Sequence, residues 1–75
     1  MPKAFVMIDV HPGQEKDVQE AIEKIKGIQF VYQVTGAHDM IAFIDTEPYD
    51  ALTQVVSKVR KLEGIRNTDT ELVLR

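Results

Sequence analysis

The chain predicts an α+β fold, a four-stranded antiparallel sheet with two helices on one face, and three observations carry the prediction. The spacing of apolar residues switches between a period of about 2 and one of about 3.6 in the order β-α-β-β-α-β. Both helical stretches stop at a glycine, Gly27 and Gly64. The halves also match: shifted forward by 37 positions, Val18 falls on Val55, Ile22 on Val59, Ile25 on Leu62, Gly27 on Gly64, Ile28 on Ile65 and Lys24 on Lys61. Two tandem units interleaved through their strands as right-handed βαβ-type crossovers give the ferredoxin-like split arrangement.

Each element has its own justification. Ala4 to Val10 is a short, β-branched apolar run closed by His11-Pro12-Gly13, the pattern of a strand ending in a turn. Alternation puts Ala4, Val6, Ile8 and Val10 on one face and Phe5 and Met7 on the other. From Gln14 to Lys26, Val18, Ala21, Ile22 and Ile25 follow helical spacing, with Glu15, Lys16, Glu20, Glu23 and Lys24 on the wet side. Gly27 is placed to close that helix in a left-handed conformation.

Ile28 to Thr35 then alternates, with Ile28, Phe30, Tyr32 and Val34 on one face and Gln29, Val31, Gln33 and Thr35 on the other. Met40 to Ile44 is a second apolar run, and the short link between the two makes them an antiparallel hairpin. Glu47-Pro48 opens the second helix, with proline expected at its first position and Asp50 adding negative charge in its first turn. Leu52, Val55, Val56, Val59 and Leu62 form its apolar stripe, Gly64 ends it, and Ile65 to Leu74 supplies the last strand.

With both helices on one side, the other face of the sheet is uncovered. Apart from Asp9, every candidate on the first and third strands for that face is apolar. Phe5, Met7, Ile41 and Phe43 facing water would form a patch of a few hundred Å², more typical of an interface than of a free surface. Dimerisation through the sheet is the expected consequence. Size points the same way, because 75 residues without a single cysteine lie near the lower limit for a stable lone core. Residues 1–75 are accordingly read as one domain.

Composition narrows the function classes. The formal net charge is −3, with nine Lys and Arg against twelve Asp and Glu spread over both halves, whereas a nucleic-acid binder concentrates basic residues on one face. The nearest cluster, Lys58, Arg60 and Lys61, ends a predicted helix, where cations complement the helix dipole. No apolar run approaches the roughly 20 residues of a membrane span, and no signal-peptide core follows Met1, so a cytoplasmic location is expected.

Few residues are equipped for chemistry. His11 and His38 fall at the same end of the predicted sheet, but neither has a metal-ligand spacing and no third ligand is indicated; the alternative is a pair of ordinary loop histidines. No phosphate loop, HExxH or GxSxG is present, so no catalytic residue, metal or cofactor is expected. Asp39 begins an otherwise apolar strand. Its carboxylate serves either to accept loop N–H groups or to meet the ammonium of a ligand. Gly36 either supplies a positive φ or lets a ligand carboxylate approach bare backbone N–H groups.

Val34-Thr35-Gly36-Ala37-His38-Asp39 resembles the V-T-G-x-x-D hairpin of the effector-binding (RAM) domain of the Lrp/AsnC transcription regulators. The strand–His11-Pro12-Gly13–helix opening, the Gly64 helix end and Thr68-x-Thr70 extend the likeness over essentially the whole chain. Full-length members carry an N-terminal helix-turn-helix module, whereas here the first strand begins within a few residues of Met1. The resemblance therefore implies a stand-alone form that does not itself bind DNA. It further implies an amino-acid sensor whose sheet-paired dimers assemble into larger rings, with effectors bound between dimers near the hairpin. By position, Gly36, Ala37, His38 and Asp39 line that site, Thr68 and Thr70 contribute to it, and Tyr32 enters from a facing subunit. Modulation of a full-length Lrp/AsnC-type regulator by co-assembly is part of the same expectation.

Two other readings compete. A small dimeric α+β barrel enzyme, of monooxygenase or isomerase type, needs a roomy polar pocket within each subunit, which the large inward stripes disfavour. An ACT-like regulatory module is normally attached to a metabolic enzyme, and this chain carries no catalytic domain.

Overall fold

The computed structural model describes residues 2–75. The elements are β1 (Lys3–Val10), α1 (Glu15–Glu23), β2 (Ile28–Gln33), β3 (Met40–Asp45), α2 (Tyr49–Arg60) and β4 (Ile65–Leu72), in the expected sequence. The strands form one sheet in the order β2-β3-β1-β4, and each adjacent pair is antiparallel. Strands β1 and β3 are therefore central, while β2 and β4 are the edges.

Alternation along the central strands builds the core. Ala4, Val6, Ile8 and Val10 of β1 and Met40, Ala42 and Ile44 of β3 are buried against Val18 and Ile22 of α1 and Leu52, Val55 and Val59 of α2. Full burial of one such aliphatic side chain is worth about 1.5–3 kcal/mol. Phe5, Met7, Ile41 and Phe43 project from the other face, as alternation requires.

The helix ends differ from expectation. Helix α1 stops at Glu23, not Lys26, and α2 stops at Arg60, so each glycine lies four positions beyond the last α-helical residue. Between helix and glycine the backbone tightens into bonds three residues apart: Ile25 N–H donates to the Ile22 carbonyl at 3.0 Å, and Leu62 N–H to that of Val59 at 3.2 Å. Such tightening satisfies the last carbonyls before the chain turns. Pro48 is the N-cap of α2 and has extended backbone; it is not the first helical residue.

The glycines have a second role. A Cβ on Gly27 would come 2.9 Å from Val55 Cγ2, and one on Gly64 would come 2.8 Å from Val18 Cγ2. Each glycine thus packs against the helix of the other half. Gly27 and Gly64, like Val18 and Val55, are equivalent positions of the internal repeat, so the repeat appears in space as a reciprocal contact.

Strict alternation fails in β2. Ile28 pairs with Ile44 and Phe30 with Phe43, so Gln29 is an extra residue inserted between successive partners. Such a bulge flips the faces on either side of it. Ile28 and Val31 consequently pack on the core, while Phe30 and Tyr32 join the open face. Phe5 and Phe43 have ring centroids 4.9 Å apart, Phe30 and Phe43 5.5 Å, and Phe30 and Tyr32 4.9 Å. The result is an aromatic cluster across three strands. Strand β4 borders it with Asp69 opposite Met7 and Glu71 opposite Phe5.

Strand β2 ends at Gln33, two residues before the predicted boundary, and β4 ends at Leu72, leaving Val73 and Leu74 outside it. No helix among the described residues is long and apolar enough to cross a membrane.

Candidate functional site

The six-residue segment 34–39 closes with Val34 N–H donating to the Asp39 carbonyl at 2.9 Å. It is fastened to β1 by two further bonds. Asp39 N–H donates to the Ile8 carbonyl at 3.0 Å. Val10 N–H donates to Asp39 Oδ2 at 2.9 Å. The Asp39 carboxylate therefore extends the β1–β3 pairing past its last regular pair; the N–H it accepts belongs to the end of strand β1, whereas the sequence points to loop N–H groups. Its ionic form strengthens that bond relative to a neutral acceptor. Of its two oxygens, only Oδ2 is engaged in this way.

Beside it, His38 Nδ1 lies 3.2 Å from Asp9 Oδ1, and both side chains are largely shielded, 30% and 14% exposed. The ring donates to Asp9 whenever Nδ1 carries the proton. His38 is thus tied to a carboxylate on β1, while His11 is exposed and held through its backbone N–H to the Gly64 carbonyl at 3.0 Å. Among the described residues no group of three His, Cys, Asp or Glu is arranged to hold a metal ion. Gly36 adopts φ 110°, and a Cβ built on it would meet nothing within 4 Å. Ala37 is exposed next to it. Backbone at the tip of the hairpin is consequently open, and a pinned carboxylate stands at its base.

The remaining predicted residues lie on the two edge strands. Tyr32 is 58% exposed on edge strand β2 and stacks on Phe30 at the open face. Thr68 and Thr70 pair with Ile8 and Val6 on the opposite edge strand. Paired residues share a face, so both threonines look toward the helix side. Adjacent strands are about 4.8 Å apart, which puts β4 about 10 Å from β3 and about 14 Å from β2. One subunit therefore unites Gly36, Ala37, His38 and Asp39, places Tyr32 on the arm leading into the same hairpin, opposite Ile41, and sets Thr68 and Thr70 two strands away from β3.

Three residues outside the sequence-derived set complete the hairpin's support, Ile8, Asp9 and Val10. Asp9 carried a signal, being the lone polar residue in an apolar strand. The Val10 contribution is a backbone N–H and leaves no trace in residue type.

Comparison with known proteins matches residues 3–75 to the family model described as the Lrp/AsnC ligand binding domain. Among curated proteins, the chain is 28% identical over 74 residues to the HTH-type transcriptional regulator LysM of Sulfurisphaera tokodaii, covering 97% of this chain and 53% of that protein. It is 33% identical over 72 residues to the HTH-type transcriptional regulator FL11 of Pyrococcus furiosus, covering 96% of this chain and 48% of that protein. The chain thus spans about half the length of these relatives. Among solved structures, TTHA0845 from Thermus thermophilus superposes with a TM-score of 0.93 at 33% identity, covering 100% of this chain and 95% of that one.

Proposed function

Because the chain belongs to the Lrp/AsnC ligand-binding domain family, we propose that it is a non-enzymatic sensing domain that takes a free amino acid at the Gly36–Asp39 hairpin. The observation that carries this reading is the half-used carboxylate. Val10 N–H fixes Asp39 through Oδ2, leaving Oδ1 to meet an ammonium group, while open backbone at Gly36 is accessible to a ligand carboxylate. An amino acid presents those two charges a short distance apart, and a site holding both groups reads that spacing. Ala37 and His38 flank the contact and tune it.

Thr68 and Thr70 lie on the edge strand remote from the hairpin and join such a site from a neighbouring copy, and on this reading Tyr32 enters from a facing subunit. Binding is therefore coupled to assembly. Two copies pair through the aromatic open face formed by Phe5, Phe30 and Phe43, and dimers bring further hairpins together. In the cytoplasm, association with a full-length Lrp/AsnC-type regulator is the route by which the bound amino acid affects transcription. The filled core between sheet and helices, with Ile8, Ile22, Leu52 and Val59 all essentially inaccessible, supports this reading over a barrel enzyme that needs a polar cavity there.

Calorimetric titration with each of the twenty amino acids tests the proposal. Saturable binding of one or a few of them is expected. Absence of heat with all twenty, from a sample whose assembly is intact, would remove the sensing function and leave the fold untouched.

A further inference from the structure

A second concavity lies on the helix side, between α2 and β4, away from the Asp39 carboxylate. One part of it is a groove of about 370 Å³ whose walls are Leu52 and Val56 of α2 and Leu72 of β4, with the hydroxyls of Thr53 and Thr70 at its edge. The other part, about 220 Å³, is polar and contains Arg66 and Asn67. Arg60 lines both, so its side chain borders the apolar and the polar part alike. Together they run from an apolar end to a doubly cationic end.

The two arginines are not committed elsewhere. Among the described residues the single ion pair is His38–Asp9, so neither guanidinium has a carboxylate within 4.0 Å. Nor is Arg60 needed to cap α2. Lys61 N–H already donates to the Ser57 and Lys58 carbonyls, and Leu62 N–H to that of Val59. In a chain of net charge −3, two uncompensated guanidinium groups facing one cavity form a local site for an anion. Equally informative is the lining's lack of acid: no Asp or Glu contributes to either part. An ammonium group placed there would meet only like charge.

From this arrangement we propose that the α2–β4 groove is a second ligand site, for an apolar monocarboxylate without an amino group, such as the 2-oxo acid counterpart of an aliphatic amino acid. The carboxylate lies between Arg60 and Arg66, and the hydrocarbon body lies on Val56 and Leu72, with Leu52 beneath them. The site makes no use of the Asp39 carboxylate, by which the hairpin reading selects an ammonium; Thr68 and Thr70, which border the groove, are the residues the two readings share. One domain thereby distinguishes an amino acid from its deaminated form.

The test uses 4-methyl-2-oxopentanoate and L-leucine, which share a carbon skeleton and differ at the α-position, with amide chemical shifts of the labelled chain as readout at about 0.15 M salt, where bare surface charge is screened. The 2-oxo acid is expected to shift resonances of both α2 and β4 saturably, while leucine leaves those of α2 unmoved whatever it does at residues 34–39 and at Thr68 and Thr70. The double variant Arg60→Gln, Arg66→Gln alters exposed side chains and is expected to keep the native spectrum while weakening the 2-oxo acid about tenfold or more, the scale of a lost charge-assisted contact. Val56→Trp, which fills the apolar end, is expected to block binding with both arginines present. The proposal is overturned if the 2-oxo acid leaves α2 and β4 unshifted, or if the double variant binds it as the wild type does. It is equally overturned if leucine or inorganic phosphate occupies the groove with the same affinity.

Discussion

Asp39 fixes the Val10 N–H with one oxygen and, on the proposed reading, meets a ligand ammonium with the other; substitutions at this residue separate the two roles. Asp39→Asn retains a carbonyl oxygen for the Val10 N–H and loses only charge. It is expected to cost no more than about 1 kcal/mol of stability, the difference between a charged and a neutral acceptor, and to weaken amino-acid binding about tenfold or more by calorimetry, on the scale of a lost charged contact. Asp39→Ala removes both functions, so it is expected to cost about 1–3 kcal/mol of stability as well, the penalty for a main-chain donor left without its partner. Equal affinity in Asp39→Asn and wild type would leave the carboxylate a purely structural role.

Glycines offer a second residue-scale comparison. Gly64 has φ 97° and a virtual Cβ 2.8 Å from Val18 Cγ2. Gly64→Ala combines a disfavoured backbone with overpacking and is expected to destabilise by about 2–4 kcal/mol in urea unfolding. Gly36→Ala has only the backbone penalty, about 1–2 kcal/mol. A similar loss at both positions would contradict the reciprocal packing of the two halves. At this scale the sequence showed which residues were unusual but not whom they touch: Asp39 and Val10 are 29 positions apart, and the partner is a backbone group.

At the level of elements, all six were legible, because the change of period marks each strand and helix. Their ends were less so. Gly27 and Gly64 signal a stop, yet the tightened turns before them are held by backbone bonds that residue type does not encode. The bulge at Gln29 was hidden for a similar reason. Alternation assigns Ile28 and Phe30 to one face, and only pairing with β3 shows them on opposite faces. That flip enlarges the open aromatic face, where a prediction belongs: Phe43→Glu places a charge at the centre of the Phe5–Phe43–Phe30 cluster. Sedimentation is expected to show a monomer with unchanged far-ultraviolet circular dichroism. An intact oligomer would mean that association uses another surface.

On the scale of the whole molecule, the internal repeat becomes a pair of interlocked halves, each supplying a glycine against the other's helix. The candidate site follows a different logic. Four of its predicted residues are contiguous in sequence, so a single hairpin holds them together. Tyr32, Thr68 and Thr70 lie on the two edge strands, and no periodicity within a single chain reveals what a neighbouring copy brings to them. Amino-acid binding is on this view a property of the assembly. Its most direct test is the solution mass of the 8.5 kDa chain, measured by light scattering with and without the amino acid that calorimetry identifies. A dimer or larger species is expected without ligand, and a shift toward larger assemblies with it. A monomer that binds the amino acid with undiminished affinity would contradict the proposed coupling of binding to assembly.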